Sequence, residues 1–110
     1  MIKSVPALLV LKALEREVSH GYRIAAWINQ TSNGALEMKE GTLYPLLHSL
    51  EAKGLIQGQW HDQGGQRPVR MYRLTDRGCR ELKQEERSWE TFSQGVEKIL
   101  GQGGVAHDPA

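Results

Sequence analysis

Five arginines, Arg67, Arg70, Arg73, Arg77 and Arg80, fall within fourteen residues, and Asp76 is the one acid among them. A guanidinium carries a permanent charge and a planar fork of donors, so a strip of this density suits phosphate. The net charge of +1 conceals it. Residues 1–78 hold ten Lys and Arg against seven Asp and Glu, whereas residues 79–110 hold four against six. Taken alone, such a strip is equally a solvated face. Other chemistry finds less support. His20, His48, His61 and His107 are scattered without Cys or His neighbours at ligand spacing, so no metal is expected. No serine or cysteine has a base at a recognisable spacing, and no carboxylate pair stands out, so neither an enzyme nor a cofactor is expected. Cys79 is the one cysteine, which excludes an intramolecular disulfide and suits a reducing compartment. A redox-sensing role for it is a minor expectation beside that of a semi-buried, inert thiol.

The elements that would carry the arginines fit in one small domain. The chain has 110 residues, 39% apolar and 25% charged, the composition of a soluble globular protein. Its longest apolar run, Ala7 to Leu11, is far short of the ~20 residues a membrane span needs. The N-terminus lacks a signal-peptide layout, so a cytoplasmic protein without a membrane partner is expected.

Leu8, Leu11, Leu14 and Val18 recur at helical spacing and predict a first helix from Val5 to Val18, with Ser4 as N-cap. A second helix is expected near His20 to Thr31, capped by Ser19, with Tyr22, Ile24, Ala25 and Ile28 facing inward. Asn33-Gly34 ends it as a turn. Ala35 to Met38 alternates weakly and is read as a short strand. Leu43, Leu46, Leu47 and Leu50 predict a third helix over about Gly41 to Lys53, with Thr42 as N-cap, Pro45 near its start and Gly54 closing it. Leu55–His61 and Val69–Leu74 read as strands joined by the glycine-rich loop Asp62–Pro68. Thr75 then caps a long fourth helix reaching about Leu100, and residues 101–110 read as a disordered tail.

Three helices followed by a hairpin is the order of a winged helix-turn-helix. Two segments sharpen this reading. Gly41-Thr42-Leu43-Tyr44-Pro45-Leu46-Leu47-His48-Ser49-Leu50-Glu51-Ala52-Lys53-Gly54-Leu55-Ile56 resembles the recognition-helix signature of PadR-like regulators. Tyr72-Arg73-Leu74-Thr75-Asp76-Arg77-Gly78 is similar to the second wing strand and the following helix start in that family. Ser19-His20-Gly21-Tyr22 is a shorter match. The resemblance implies a mainly α (α+β) fold: a winged helix-turn-helix over residues 1–78, with a long C-terminal dimerisation helix over 79–100. It also implies a transcriptional regulator, usually a repressor, that binds a palindromic double-stranded DNA operator as a homodimer. The last helix is similar to that of the small subfamily. One departure stands out: family members often carry Lys or Arg where this chain has His48-Ser49.

With the leucines of the third helix turned inward, Thr42, Pro45, Ser49 and Ala52 form one outer strip, and Tyr44, His48 and Glu51 another. Thr42, Tyr44, Pro45, His48 and Ser49 are the candidate DNA readers. Lys39 and Lys53 at the helix ends, with Arg67 and Arg70 in the wing, are candidate phosphate or minor-groove contacts. Arg73 and Arg77 could equally pair with glutamates of the last helix. A winged-helix module that binds protein in place of DNA is the alternative reading.

Leu82, Trp89 and Val96 are seven apart, and Phe92 and Ile99 continue the complementary heptad position, interrupted by Glu85. The seam fits a homodimer interface, or cover for the chain's own first helix. In multidrug-responsive relatives, a tryptophan placed like Trp89 stacks planar drugs across the dimer. That likeness implies a small aromatic effector that relieves repression, with Glu85 and Glu86 favouring a cationic one.

Overall fold

The computed structural model describes residues 4–102, so the end of the predicted tail lies outside the described residues. Seven elements follow in order: α1 (Val5–Arg16), β1 (Ser19–His20), α2 (Gly21–Thr31), α3 (Glu40–Ala52), β2 (Ile56–His61), β3 (Val69–Leu74) and α4 (Asp76–Leu100). The three strands form one antiparallel sheet in the order β1-β3-β2.

α1 begins where Ser4 Oγ accepts the Ala7 N–H at 3.2 Å, with Pro6 in the first turn. It buries Leu8, Val10, Leu11, Ala13 and Leu14, so its wide apolar stripe is covered on more than one side. The helix stops at Arg16, two residues before the expected end. Glu17 is already extended, and Val18 is exposed because the chain is turning into β1.

Ser19 does not cap α2. It is buried in β1, facing Tyr72 across the pair, and His20 caps instead, its Nδ1 accepting the Arg23 N–H at 3.2 Å. Within α2, Ile24 and Ile28 enter the core, but Tyr22 points outward and is 77% exposed. The predicted strand over Ala35–Met38 does not form, and the third strand is Ser19–His20. The end of α2 takes up the Leu36 backbone: Ser32 Oγ accepts its N–H at 3.0 Å, and Asn29 Nδ2 donates to its carbonyl at 3.3 Å. Such local bonds compete with a ladder.

α3 starts one residue early, with Lys39 at the cap and no side-chain capping bond. Thr42 is therefore not the cap, since its own N–H already donates to the Lys39 carbonyl at 3.0 Å. Pro45 consequently sits at the sixth helical position and leaves the Gly41 carbonyl without its i+4 donor. The helix holds because Leu43, Leu47 and Leu50 are buried in the core.

Thr75 ties the wing to α4. Its Oγ1 accepts the Gly78 N–H at 3.0 Å and lies 2.7 Å from the Gly54 carbonyl and 3.0 Å from that of Leu55. Gly78 must be glycine, because a Cβ there would collide with the Leu55 carbonyl. Leu82, one turn on, is completely buried, and Lys12 of α1 bonds Glu86 at 3.1 Å. Beyond that point α4 leaves the core. Among the described residues no helix is long and apolar enough to cross a membrane.

Candidate nucleic-acid interface

α3 turns its leucines inward, which leaves Thr42, Tyr44, Pro45 and His48 exposed along the start of the helix and Ser49 half-buried. Lys39 precedes this face and Lys53 follows it, both exposed. The face is thus uncharged at its centre, with Lys39 and the exposed Glu40 at its start and Lys53 at its end. Free N–H groups in the first helical turn add to its attraction for phosphate.

The wing is the β2–β3 hairpin, paired from Ile56↔Leu74 to His61↔Val69. Gly64 and Gly65 both have positive φ, and Asp62 Oδ1 accepts the Gly64 N–H at 3.1 Å, which shapes the tip. Arg67 is exposed beside this tip, and no carboxylate among the described residues lies within ion-pair distance of it.

Arg70 is placed differently from Arg67. It is half-buried, 2.7 Å from Glu51 on α3, with its guanidinium 5.4 Å from the Trp60 ring centre. Arg73 does not reach the last helix either, since its Nη2 donates to Gln57 Oε1 at 2.6 Å on the neighbouring strand. Among the described residues Arg77 makes no ion pair with α4. Cys79 is exposed at the start of α4, not semi-buried.

Between α3, the wing and the start of α2 lies a cleft of about 720 Å³, lined in part by Tyr22, Tyr44, His48, Trp60 and Tyr72. Tyr44 packs against the start of α2, where a Cβ on Gly21 would sit 3.0 Å from its ring. This explains the Ser19-His20-Gly21-Tyr22 motif: β1 joins the sheet, His20 caps α2, and Gly21 makes room for the ring. Sequence reasoning missed Tyr22 and Trp60 as part of this surface. The signal for Trp60 was its place in β2 opposite Arg70.

On α4, Trp89, Phe92, Val96 and Ile99 are exposed along one side, and the Trp89 and Phe92 rings lie 6.0 Å apart. Leu82, expected on the same seam, is instead enclosed by the chain's own core. Glu85 is also buried, and Glu86 is engaged by Lys12, so neither is laid out to attract a cation to Trp89.

A sequence model described as the transcriptional regulator PadR-like family matches residues 10–84, about two thirds of the chain. The chain belongs to this family. It is 36% identical over 96 residues to the transcriptional regulator Rv3488 of Mycobacterium tuberculosis, covering 86% of this chain and 79% of that one. A PadR-family regulator from Eggerthella lenta superposes with a TM-score of 0.74 at 36% identity, over 88% of this chain and 82% of that one. PadR of Bacillus subtilis, solved in complex with operator DNA, superposes with a TM-score of 0.68 at 28% identity. That match spans 74% of this chain and 46% of the longer relative. The fold of this PadR-like regulator is accordingly a winged helix with an added C-terminal helix.

Proposed function

We propose that this PadR-like chain is a cytoplasmic homodimer that binds a palindromic operator and represses transcription from it. The observation that carries the reading is the exposed start of α3, flanked by Lys39 and by Arg67 on the wing. A helix and a hairpin tip so placed fit a major groove and the next minor groove. Support for the dimer comes from α4, where Trp89, Phe92, Val96 and Ile99 form an apolar side that the protomer leaves uncovered. Two copies joined there would present two α3 helices, which requires half-sites about one helical turn apart. Trp89 and Phe92 would lie on the dimer seam and offer aromatic faces to a flat effector, as in multidrug-responsive members.

Selection from a random pool of duplexes tests the core of the proposal. The expected outcome is an enriched sequence with two-fold symmetry whose affinity falls steeply with salt. Absence of both enrichment and salt dependence would leave the alternative, a winged-helix module that binds protein.

A further inference from the structure

We propose that Glu51 is a positioning residue: it ties the wing to α3 and in doing so withdraws Arg70 from DNA. The inference rests on the DNA-binding reading above. Glu51 stands on the outer strip of α3 with Tyr44 and His48, where an unpaired carboxylate would repel phosphate. Its Oε2 accepts from two donors on the wing, Arg70 Nη2 at 2.7 Å and the Gly58 N–H at 3.1 Å. β2 is an outer strand of the sheet, so Glu51 occupies a backbone donor on its edge.

The rest of the guanidinium is held as closely. It lies across Gly58, where an ideal Cβ would stand 2.7 Å from Arg70 Nε and 2.9 Å from Cζ. Its far side approaches the Trp60 ring. One group therefore touches α3 through Glu51 and β2 through Gly58 and Trp60, while belonging to β3. Both side chains are 31% exposed, so the pair is only partly screened by solvent. Charge-assisted bonds of this kind are directional and short, which fixes the distance between the two DNA-facing elements. Arg70 in this arrangement neutralises Glu51 and is not free to meet a phosphate.

Two variants separate this role from a merely structural one. Glu51→Gln removes the charge that holds Arg70 and frees a cation at the wing. Gly58→Ala displaces the guanidinium, the end of a flexible side chain, without altering any charge. The probes are a duplex enriched by the wild-type protein and a duplex of shuffled sequence, titrated with salt. Glu51→Gln should steepen the salt dependence by about 0.9 in log–log slope per bound subunit. Gly58→Ala releases the Glu51 carboxylate together with the arginine, so the two charges offset and that slope should stay near wild type. Both should lower discrimination between the two duplexes by about fivefold, a common size for coupling between contacting residues. In proton–nitrogen NMR of the free protein, the Trp60 indole and Arg70 Nε resonances should shift in both variants. If those resonances stay in place, the tie does not exist. If they shift while slope and discrimination match wild type, Glu51 has no positioning role. Wild-type protein that enriches no duplex overturns the DNA reading and the withdrawal of Arg70 with it, while NMR still decides the tie.

Discussion

Arg67 and Arg70 stand three positions apart, and sequence gives both the same role. Arg67 is exposed and makes no ion pair among the described residues, whereas Arg70 pairs with Glu51. Arg67→Ala should therefore weaken duplex binding broadly and reduce the log–log salt slope by about 0.9 per subunit. Thr42→Ala should instead change which sequences are enriched, because its hydroxyl is a candidate for base edges. A Thr42→Ala variant that enriches the wild-type sequence would reduce Thr42 to a surface residue. Tyr72 governs a different property. Burial holds its phenol above the ordinary range against the opposing charge of Arg70, and hydrogen bonds to Glu15 and Glu86 raise Lys12. Each group keeps a proton that the unfolded chain has already released. Each therefore contributes stability that is whole below about pH 10 and is lost as pH rises through the folded value. Denaturant titrations from neutral pH upward should show the midpoint falling above about pH 10, and less steeply in Tyr72→Phe. Equal slopes in the two proteins would remove Tyr72 from the account.

At the scale of elements, sequence periodicity locates α1 and α3, which bury apolar stripes of repeating spacing, and α4, whose heptad side the protomer leaves mostly exposed; strand-type residues around a glycine-rich loop mark the hairpin. It fails where tertiary contacts decide. Two residues, Ser19 and His20, are too few to show a period, and their pairing with β3 exists only once the wing has folded. Tyr22 occupies an inward position by spacing but is turned out, because the first turn of α2 faces the cleft. Thr42 matches a cap by type, yet the chain enters helix at Glu40, and the cap position falls to Lys39. The exposed α3 face was legible because its leucines define the opposite side; the Glu51–Arg70 pair was not, since nineteen residues and a hairpin separate them. The junction of wing and α4 allows a sharp test. Gly78→Ala should lower the unfolding midpoint by an amount corresponding to about 1–3 kcal/mol, as overpacking against backbone does. Gly95→Ala, in the open part of α4 where a Cβ meets nothing within 4 Å, should leave it unchanged or raise it. A thermal melt in which both variants match wild type would show that the α4 start shifts freely.

The whole molecule is extended along α4. Its radius of gyration is 17.7 Å, against about 13 Å for a compact chain of this length. The excess reflects a helix of 25 residues that packs on α1 only through its first turns. In the proposed dimer a second copy would cover the apolar side of this helix and stabilise the part that leaves the core. Sedimentation at micromolar concentration should give twice the monomer mass, and Phe92→Asp should give the monomer, with far-ultraviolet circular dichroism reporting partial loss of helix. A wild-type monomer would remove α4 as the dimer seam. The burial of Leu82 against α1 also bears on synthesis. Lys12 and Glu86 meet across 74 positions of sequence, so the side of α1 that faces α4 is covered only when the last element emerges from the ribosome, later than the sides that face α2, α3 and β3. A chain cut short before Leu82 is left with the α4-facing side of α1 uncovered. Such a fragment would present apolar side chains that the finished chain buries, the kind of surface on which partly folded chains aggregate.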